Sequence, residues 1–243
     1  MSETSAKSDG IRRRVRSFIR REGRLTPGQR RALDELGPKY LVDPTGDPVD
    51  PAALFGRTAP LTLEIGFGNG DSLVEMAARD PDSDFIGIEV HRPGVGHLLN
   101  GIEHFGLTNL KAVCGDAVPF LEERIGEESL DRLLLYFPDP WHKKRHHKRR
   151  IVQTPFADLV ASRLKSGGLW HLATDWAEYA EHMREVLDGH PAFVAEHEGS
   201  GENARPDWRP RTKFERRGEE RGHRVFDLLY RKCRSGPVPA GGA

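Results

Sequence analysis

Leu61-Thr-Leu-Glu-Ile-Gly-Phe-Gly-Asn-Gly-Asp-Ser-Leu-Val-Glu-Met-Ala-Ala-Arg79 decides the fold of this chain. A β-prone run, Leu61–Ile65, breaks into a glycine-rich turn and resumes with helical spacing over 71–79. The alternation repeats downstream. Phe85–Val90, Leu110–Cys114, Leu133–Tyr136 and Leu169–Thr174 read as strands; segments near 93–105, 117–124, 154–164 and 176–188 read as helices. Alternation at this spacing implies an α/β fold, a parallel sheet covered by helices on both faces. Two late runs, Phe193–His197 and Val225–Tyr230, have no helix between them and are expected to close the sheet as an antiparallel pair around a polar insert at 199–222.

Upstream of Leu61 the pattern is different. Residues 1–10 are small and polar and read as disordered. In 11–24, Ile11, Val15, Phe18 and Ile19 fall at helical spacing among arginines, which suits either an amphipathic helix on an anionic partner or a solvated basic tail. Prolines and glycines from Pro27 to Pro51 mark an irregular lead-in. The expected organisation is a basic, partly disordered extension over 1–55, one domain over 56–233 and a disordered tail over 234–243.

The 243 residues are ample for one core. Lys+Arg and Asp+Glu both number 37, so net charge carries no signal, but the cations cluster: near the N-terminus, at Lys143–Arg150, and from Arg205 to Arg224. Clustered cations build a local phosphate-binding field even on a neutral protein. Two cysteines, Cys114 and Cys233, make no disulfide framework and suit a reducing cytoplasm. No run is long enough to suggest a membrane span, and no apolar signal core follows Met1.

The chemical residues follow the strands. Glu64 to Gly70 ends the first, Glu89-Val-His91 the second and Gly115-Asp116 the third; Asp139 follows the fourth, and Thr174-Asp175 ends the fifth. Ligands of open α/β sheets bind beyond the carboxyl ends of the strands, so five elements converge on one crevice. The glycines Gly66, Gly68 and Gly70 are spaced G-x-G-x-G rather than G-x-G-x-x-G, and Glu64 stands within the strand end. A carboxylate there repels a pyrophosphate but suits a ligand with a cationic end, such as the amino group of S-adenosylmethionine. This disfavours an NAD-linked oxidoreductase. Glu89 is placed to grip ribose hydroxyls. Asp116 suits either an adenine amine or the cap of the next helix.

Tyr136-Phe-Pro-Asp-Pro-Trp-His-Lys-Lys-Arg-His-His-Lys-Arg-Arg150 then joins a rigid acidic loop to a cationic block. The prolines fix the backbone around Asp139. Trp141 suits either stacking on a base or a place in the core. His142 and His146 have metal-ligand spacing, but six flanking cations repel a divalent ion, so no metal is expected.

At these residues the chain resembles the tRNA (guanine-N7-)-methyltransferases. The resemblance rests on Leu63–Gly70, Gly87–Gly96, Phe137–Lys143 with His146–Val152, Ala173–Trp176 and Thr212–Gly218, in order from about Leu61 to Tyr230. It implies a Rossmann-like S-adenosylmethionine-dependent methyltransferase fold with a mostly parallel seven-stranded sheet. It implies that Glu64, Gly66, Gly68, Gly70, Glu89, Asp116 and Asp139 bind the cofactor, Asp139 being also catalytic. Lys143, Asp175, Thr212, Lys213, Phe214 and Glu215 would contact the substrate, and Arg145, His146, His147, Lys148, Arg149 and Arg150 the RNA. The reaction implied is methylation of N7 of the variable-loop guanine at tRNA position 46, by a cytoplasmic monomer or weak homodimer. A methyltransferase acting on another RNA and a non-catalytic RNA-binding module are the alternatives. The Arg-rich start lies outside the resemblance.

Overall fold

A computed structural model of the chain describes residues 17–18, 23–196, 205–212, 215 and 224–233. The expectations for 1–10, for most of 11–24, for the insert apart from 205–212 and 215, and for the tail from 234 fall outside these residues.

The lead-in is more ordered than its prolines suggest. Helix α1 (Pro27–Arg31), a π-helical turn (Ala32–Leu36) and α2 (Gly37–Tyr40) run into a two-residue strand, β1 (Leu41–Val42), and α3 (Pro51–Phe55) follows. Pro27, Pro38 and Pro51 each lie in the first turn of a helix, where proline's missing N–H costs nothing. Thr26 closes the α1 start: its Oγ1 accepts from Gln29 N and its N donates to Gln29 Oε1.

The main alternation follows: β2 (Leu61–Ile65), α4 (Asp71–Arg79), β3 (Asp84–Glu89), α5 (Arg92–Phe105), β4 (Leu110–Cys114), α6 (Ala117–Arg124), β5 (Leu130–Tyr136), a 3₁₀ turn (Lys144–Arg149), α7 (Thr154–Arg163), β6 (Leu164–Thr174), α8 (Ala177–Asp188), β7 (Phe193–Glu196) and β8 (Phe226–Lys232). The eight strands lie in the order β1-β4-β3-β2-β5-β6-β8-β7. All neighbours from β1 to β6 are parallel, while β8 runs antiparallel to both β6 and β7. The late pair therefore closes the sheet as expected, and the fold is Rossmann-like. The count is eight rather than seven, because β1 pairs with β4 through Leu41–Ala112 and Val42–Val113. Two residues are too few to show an alternating pattern in sequence.

Strand periodicity sorts the core into two layers. Leu61, Leu63, Ile65, Leu133, Leu135, Trp170 and Leu172 face α6, α7 and α8. On the opposite face, Phe85, Leu134, Tyr136 and Ala173 pack with α4, α5 and the lead-in residues Ala32 and Tyr40. Glu64 pairs in register with Leu134, on the second face, and so shares a side of the sheet with Tyr136. Strand order reverses at β2, flanked by β3 on one side and β5 on the other. That switch point opens a crevice at the strand ends.

Trp170 is fully buried between Phe156 and Phe193, with ring centroids at 5.8 and 5.4 Å. Trp170→Ala is expected to cost roughly 3–5 kcal/mol of unfolding free energy in urea titrations. Val194→Ala, on the exposed edge strand, should change it by no more than about 0.5 kcal/mol.

Candidate active site

The turn after β2 is shaped by backbone conformation. Gly66, Gly68 and Gly70 have φ of 74°, 62° and 82°, the left-handed region that side chains disfavour. Glu89, at the end of β3, holds this turn: its Oε2 accepts from Gly68 N at 3.0 Å, and its Oε1 accepts from Val90 N at 2.7 Å and His91 N at 2.9 Å. Gly94 in α5 lies against the Gly68 carbonyl with no room for a Cβ. The backbone of the turn is thereby exposed to a ligand and fixed from behind.

The turn walls a cavity of about 510 Å³. Its lining comes from the end of β2 (Glu64, Gly66 to Gly70), the end of β3 (Glu89, His91), the end of β5 (Tyr136, Phe137), the start of α4, and Arg211 and Thr212. A larger recess, about 860 Å³, lies outside between α4 and α5 and holds none of the strand-end acids. Glu64 is 2% exposed, and its Oε2 has no hydrogen-bond partner. Burial first, and the charge of Glu89 second, push its carboxyl up to about 8. A buried acceptor without a donor is costly, and this one lines the cavity, where a donor could reach it.

Asp139, expected among the cofactor-binding residues, is exposed and does not line the cavity; it stands two residues beyond Phe137, which does. The Pro-Asp-Pro segment is flanked by two non-glycine residues in left-handed conformation, Phe137 and Trp141, each at φ 49°. Such residues cost on the order of 1–3 kcal/mol and persist only where the surroundings hold them. Phe137 N donates to Ala173 O at 2.7 Å. Trp141 is neither fully buried nor free: its Nε1 donates to Ser17 O at 3.2 Å, and Arg149 lies over its ring at 4.4 Å.

The cationic turn divides into two parts. Lys143, Lys144, Arg145 and Lys148 are exposed, with His146, His147 and Arg149 half-buried. Partial desolvation, then the charges of Arg145, Arg149, Lys143 and Lys148, hold His146 below the ordinary histidine range. Arg150, grouped in sequence with the cations expected to contact RNA, is turned inward with its side chain 2% exposed. Its Nε donates to Pro140 O at 2.9 Å, its Nη2 reaches Glu178 at 3.2 Å, and it lies over the Tyr179 ring. It braces the Pro-Asp-Pro loop. Among the described residues no cluster of three His, Cys, Asp or Glu side chains has metal-binding geometry.

The remaining sequence candidates are placed as follows. Asp116 lies two residues beyond β4 and caps α6, accepting from Val118 N at 3.1 Å; it does not line the cavity. Asp175 is half-buried just after β6. Thr212 is at the cavity wall, whereas Glu215 is buried behind it. Lys213 and Phe214 lie outside the described residues. Sequence reading missed Tyr136, Phe137, His91 and Arg211 as cavity residues; the signal available was their place directly after a strand or beside Thr212.

A second omission is a buried polar cluster. Arg209, which the sequence places in the third cationic block, is completely buried and pairs with both Asp227 and Glu215. Asp227 also bonds His171 Nε2 at 2.7 Å. Burial pushes the Asp227 carboxyl up, but the His171 hydrogen bond and the Arg209 charge outweigh it and hold it below the usual range. Burial foremost, and Glu64 next, push the Tyr136 hydroxyl well up, so it stays neutral beside His171 Nδ1 at 3.0 Å.

Residues 58–228 match a family model described as "Putative methyltransferase". The chain is 58% identical over 222 residues, covering 91% of its own length and 93% of the relative's, to a tRNA (guanine-N(7)-)-methyltransferase of Alcanivorax borkumensis. A Pseudomonas putida protein of the same description is 54% identical over 233 residues, 95% of this chain and 97% of the relative. Among solved structures, an antibiotic-related methyltransferase superposes with a TM-score of 0.53 at 15% identity, covering 79% of this chain and 97% of that one. A 30S ribosomal A1408 methyltransferase gives 0.51 at 15% identity, covering 79% and 98%. The structural likeness is one of fold; the sequence likeness spans nearly the whole of both chains, and the chain belongs to the tRNA (guanine-N7-)-methyltransferase family.

Proposed function

We propose that the chain transfers a methyl group from S-adenosylmethionine to N7 of guanine in tRNA, at position 46 of the variable loop. The observation that carries this reading is the unpartnered, buried Glu64 oxygen in a backbone-lined cavity that reaches Phe137, the residue before the Pro-Asp-Pro loop. The relatives' shared description gives the base and the atom.

The residues present fit the cofactor. Glu64 lacks a donor, and the cofactor's ammonium group is one. Glu89 spends three of its roughly four acceptor sites on backbone N–H groups and retains capacity for a ribose hydroxyl. Asp116 lies outside the cavity lining and caps α6 through one carboxylate oxygen; its other oxygen is assigned to the adenine amine. When bound, the cofactor supplies an electrophilic methyl on a sulfonium.

Guanine N7 has a lone pair and no proton, so its attack needs no general base. The protein's work is alignment and charge placement. As N7 gains the methyl, the purine becomes cationic. A carboxylate against the N1–H and exocyclic N2 of guanine favours that state and selects guanine over adenine; Asp139 is assigned this role, with Asp175 and Thr212 on the flanks. Glu215 is occupied by Arg209 and acts behind them. Lys143, Lys144, Arg145 and Lys148 provide an outward phosphate-binding shelf beside the site. N7 is often engaged in tertiary contacts in a folded tRNA, so presenting it needs local opening of the base. A tRNA substrate and two cysteines, Cys114 and Cys233, that form no disulfide with each other suit a cytoplasmic setting.

Three experiments test this reading. Asp139→Ala should lose methyl transfer to tRNA by at least about 100-fold while calorimetric cofactor affinity stays within about 3-fold; near-normal turnover removes Asp139 from the chemistry. Lys148→Ala should lower the log–log salt slope of tRNA binding by about one, whereas Arg150→Ala should chiefly lower thermal stability. The third concerns Glu64. In the unliganded protein its carboxyl holds a proton from its ordinary 4.5 up to about 8, whereas the unfolded chain releases it near 4.5. The native state thus loses stability as pH rises across that window, and is ionised like the unfolded chain above it. Glu64→Gln, which cannot ionise, should gain Tm relative to wild type as pH rises from 5 to 8, and should bind the cofactor at least about tenfold more weakly. Parallel Tm–pH curves for the two proteins would refute this account of Glu64.

A further inference from the structure

We infer that Arg209 is a positioning residue that fixes the Arg211–Thr212 segment against the mouth of the cleft. The inference deepens the methyl-transfer reading and rests on it for its kinetic part.

Residues 205–212 form turns and extended chain, with neither helix nor strand. Their attachment to the sheet therefore rests on side chains. Arg209 is 0% exposed. On one side its Nη2 donates to Asp227 Oδ2 at 2.8 Å, with Nε 2.7 Å from Oδ1 but out of line for a hydrogen bond. On the other, Nη1 and Nη2 donate to Glu215 Oε2 and Oε1 at 2.7 and 3.1 Å. Asp227 is on β8, bonded to His171 of β6, which in turn bonds Tyr136 of β5. Three adjacent strands thus anchor one end of the guanidinium.

The other end reaches the cleft. Thr212 N donates to Glu215 Oε2 at 3.3 Å, and Glu215 N donates to Thr212 Oγ1 at 3.1 Å, a reciprocal pair that closes the turn. Thr212 and Arg211 line the cavity on one side and Tyr136 on another. Trp208, beside Arg209, meets His171 edge-on at 4.9 Å and packs the segment down.

Energetics favour a geometric purpose. Removing a guanidinium and two carboxylates from water is expensive, and well-packed apolar residues often give equal or greater stability. What the ionic cluster adds is direction: the planar fork meets two carboxylates in fixed orientation, which an ammonium cannot reproduce. A substrate-bearing turn without secondary structure needs that constraint, since a displacement of about 1 Å can cost on the order of 100-fold in rate.

The test uses the full-length protein with Arg209→Lys, which keeps the charge and loses the fork. Hydrogen–deuterium exchange of residues 205–212 in the unliganded variant should be faster than in wild type by at least about tenfold, while the central strands are unchanged. Cofactor affinity should stay within about 3-fold, and kcat/KM for tRNA should fall by about tenfold or more. Thr212→Ala should lower kcat/KM as well, and the double variant should be little worse than the worse single one, because both changes remove the same placement. Unchanged exchange in 205–212, or fully additive losses, would overturn the inference. If Arg209→Lys does not fold, Glu215→Gln loosens the same clamp from its other side and is read by the same exchange and kinetics. Absence of tRNA methylation by the wild type would refute the functional reading, yet the exchange experiment would still decide the role of Arg209.

Discussion

The cleft depends on the grip of the Glu89 carboxylate on the glycine turn. Left-handed glycines have wide conformational freedom, and a turn built from three of them would sample many shapes. The Gly68 N–H donates to one oxygen of Glu89 while Val90 and His91 N–H groups fix the other, so a side chain held at the end of β3 restrains the turn after β2. With the turn held from outside, its interior backbone faces the cavity, and Glu64 is left in its lining with an oxygen that has no hydrogen-bond partner. One acid is spent on architecture so that another can remain available for binding.

The fold was legible where periodicity was strong. Leu61–Ile65 and Leu110–Cys114 have the strand bounds their apolar runs suggest. Strand β6 begins earlier than Leu169, at Leu164, because Gly167 and Gly168 interrupt the apolar run without ending the strand. The lead-in was misleading because a proline looks the same in sequence whether it breaks a structure or starts a helix; only the Thr26–Gln29 cap distinguishes the second case. The site was legible to the extent that it follows strand ends, which is why Glu64, Glu89 and the glycines share one cavity.

Charge was harder to read than shape. Arg150 and Arg209 each sit within a basic run, and composition alone assigns both to a surface. Both are buried, each with a carboxylate partner supplied from a distant part of the chain: Glu178 for Arg150, Asp227 for Arg209. Sequence spacing has no access to such pairs, since nothing local shows where the acid will arrive. Arg150 holds the Pro-Asp-Pro loop through Pro140, and Arg209 holds Glu215, which bonds Thr212.

The smallest strand has a consequence for the whole molecule. A bare β4 would present a row of unsatisfied amides and carbonyls, a template for any extended peptide. Leu41 and Val42 cover the middle of that row, at Ala112 and Val113, and Tyr40 and Ala32 upstream of them are sunk in the core. Truncation that spares Gly23 onward leaves this guard in place, whereas cutting past Val42 would turn a self-contained sheet into one with an adhesive border.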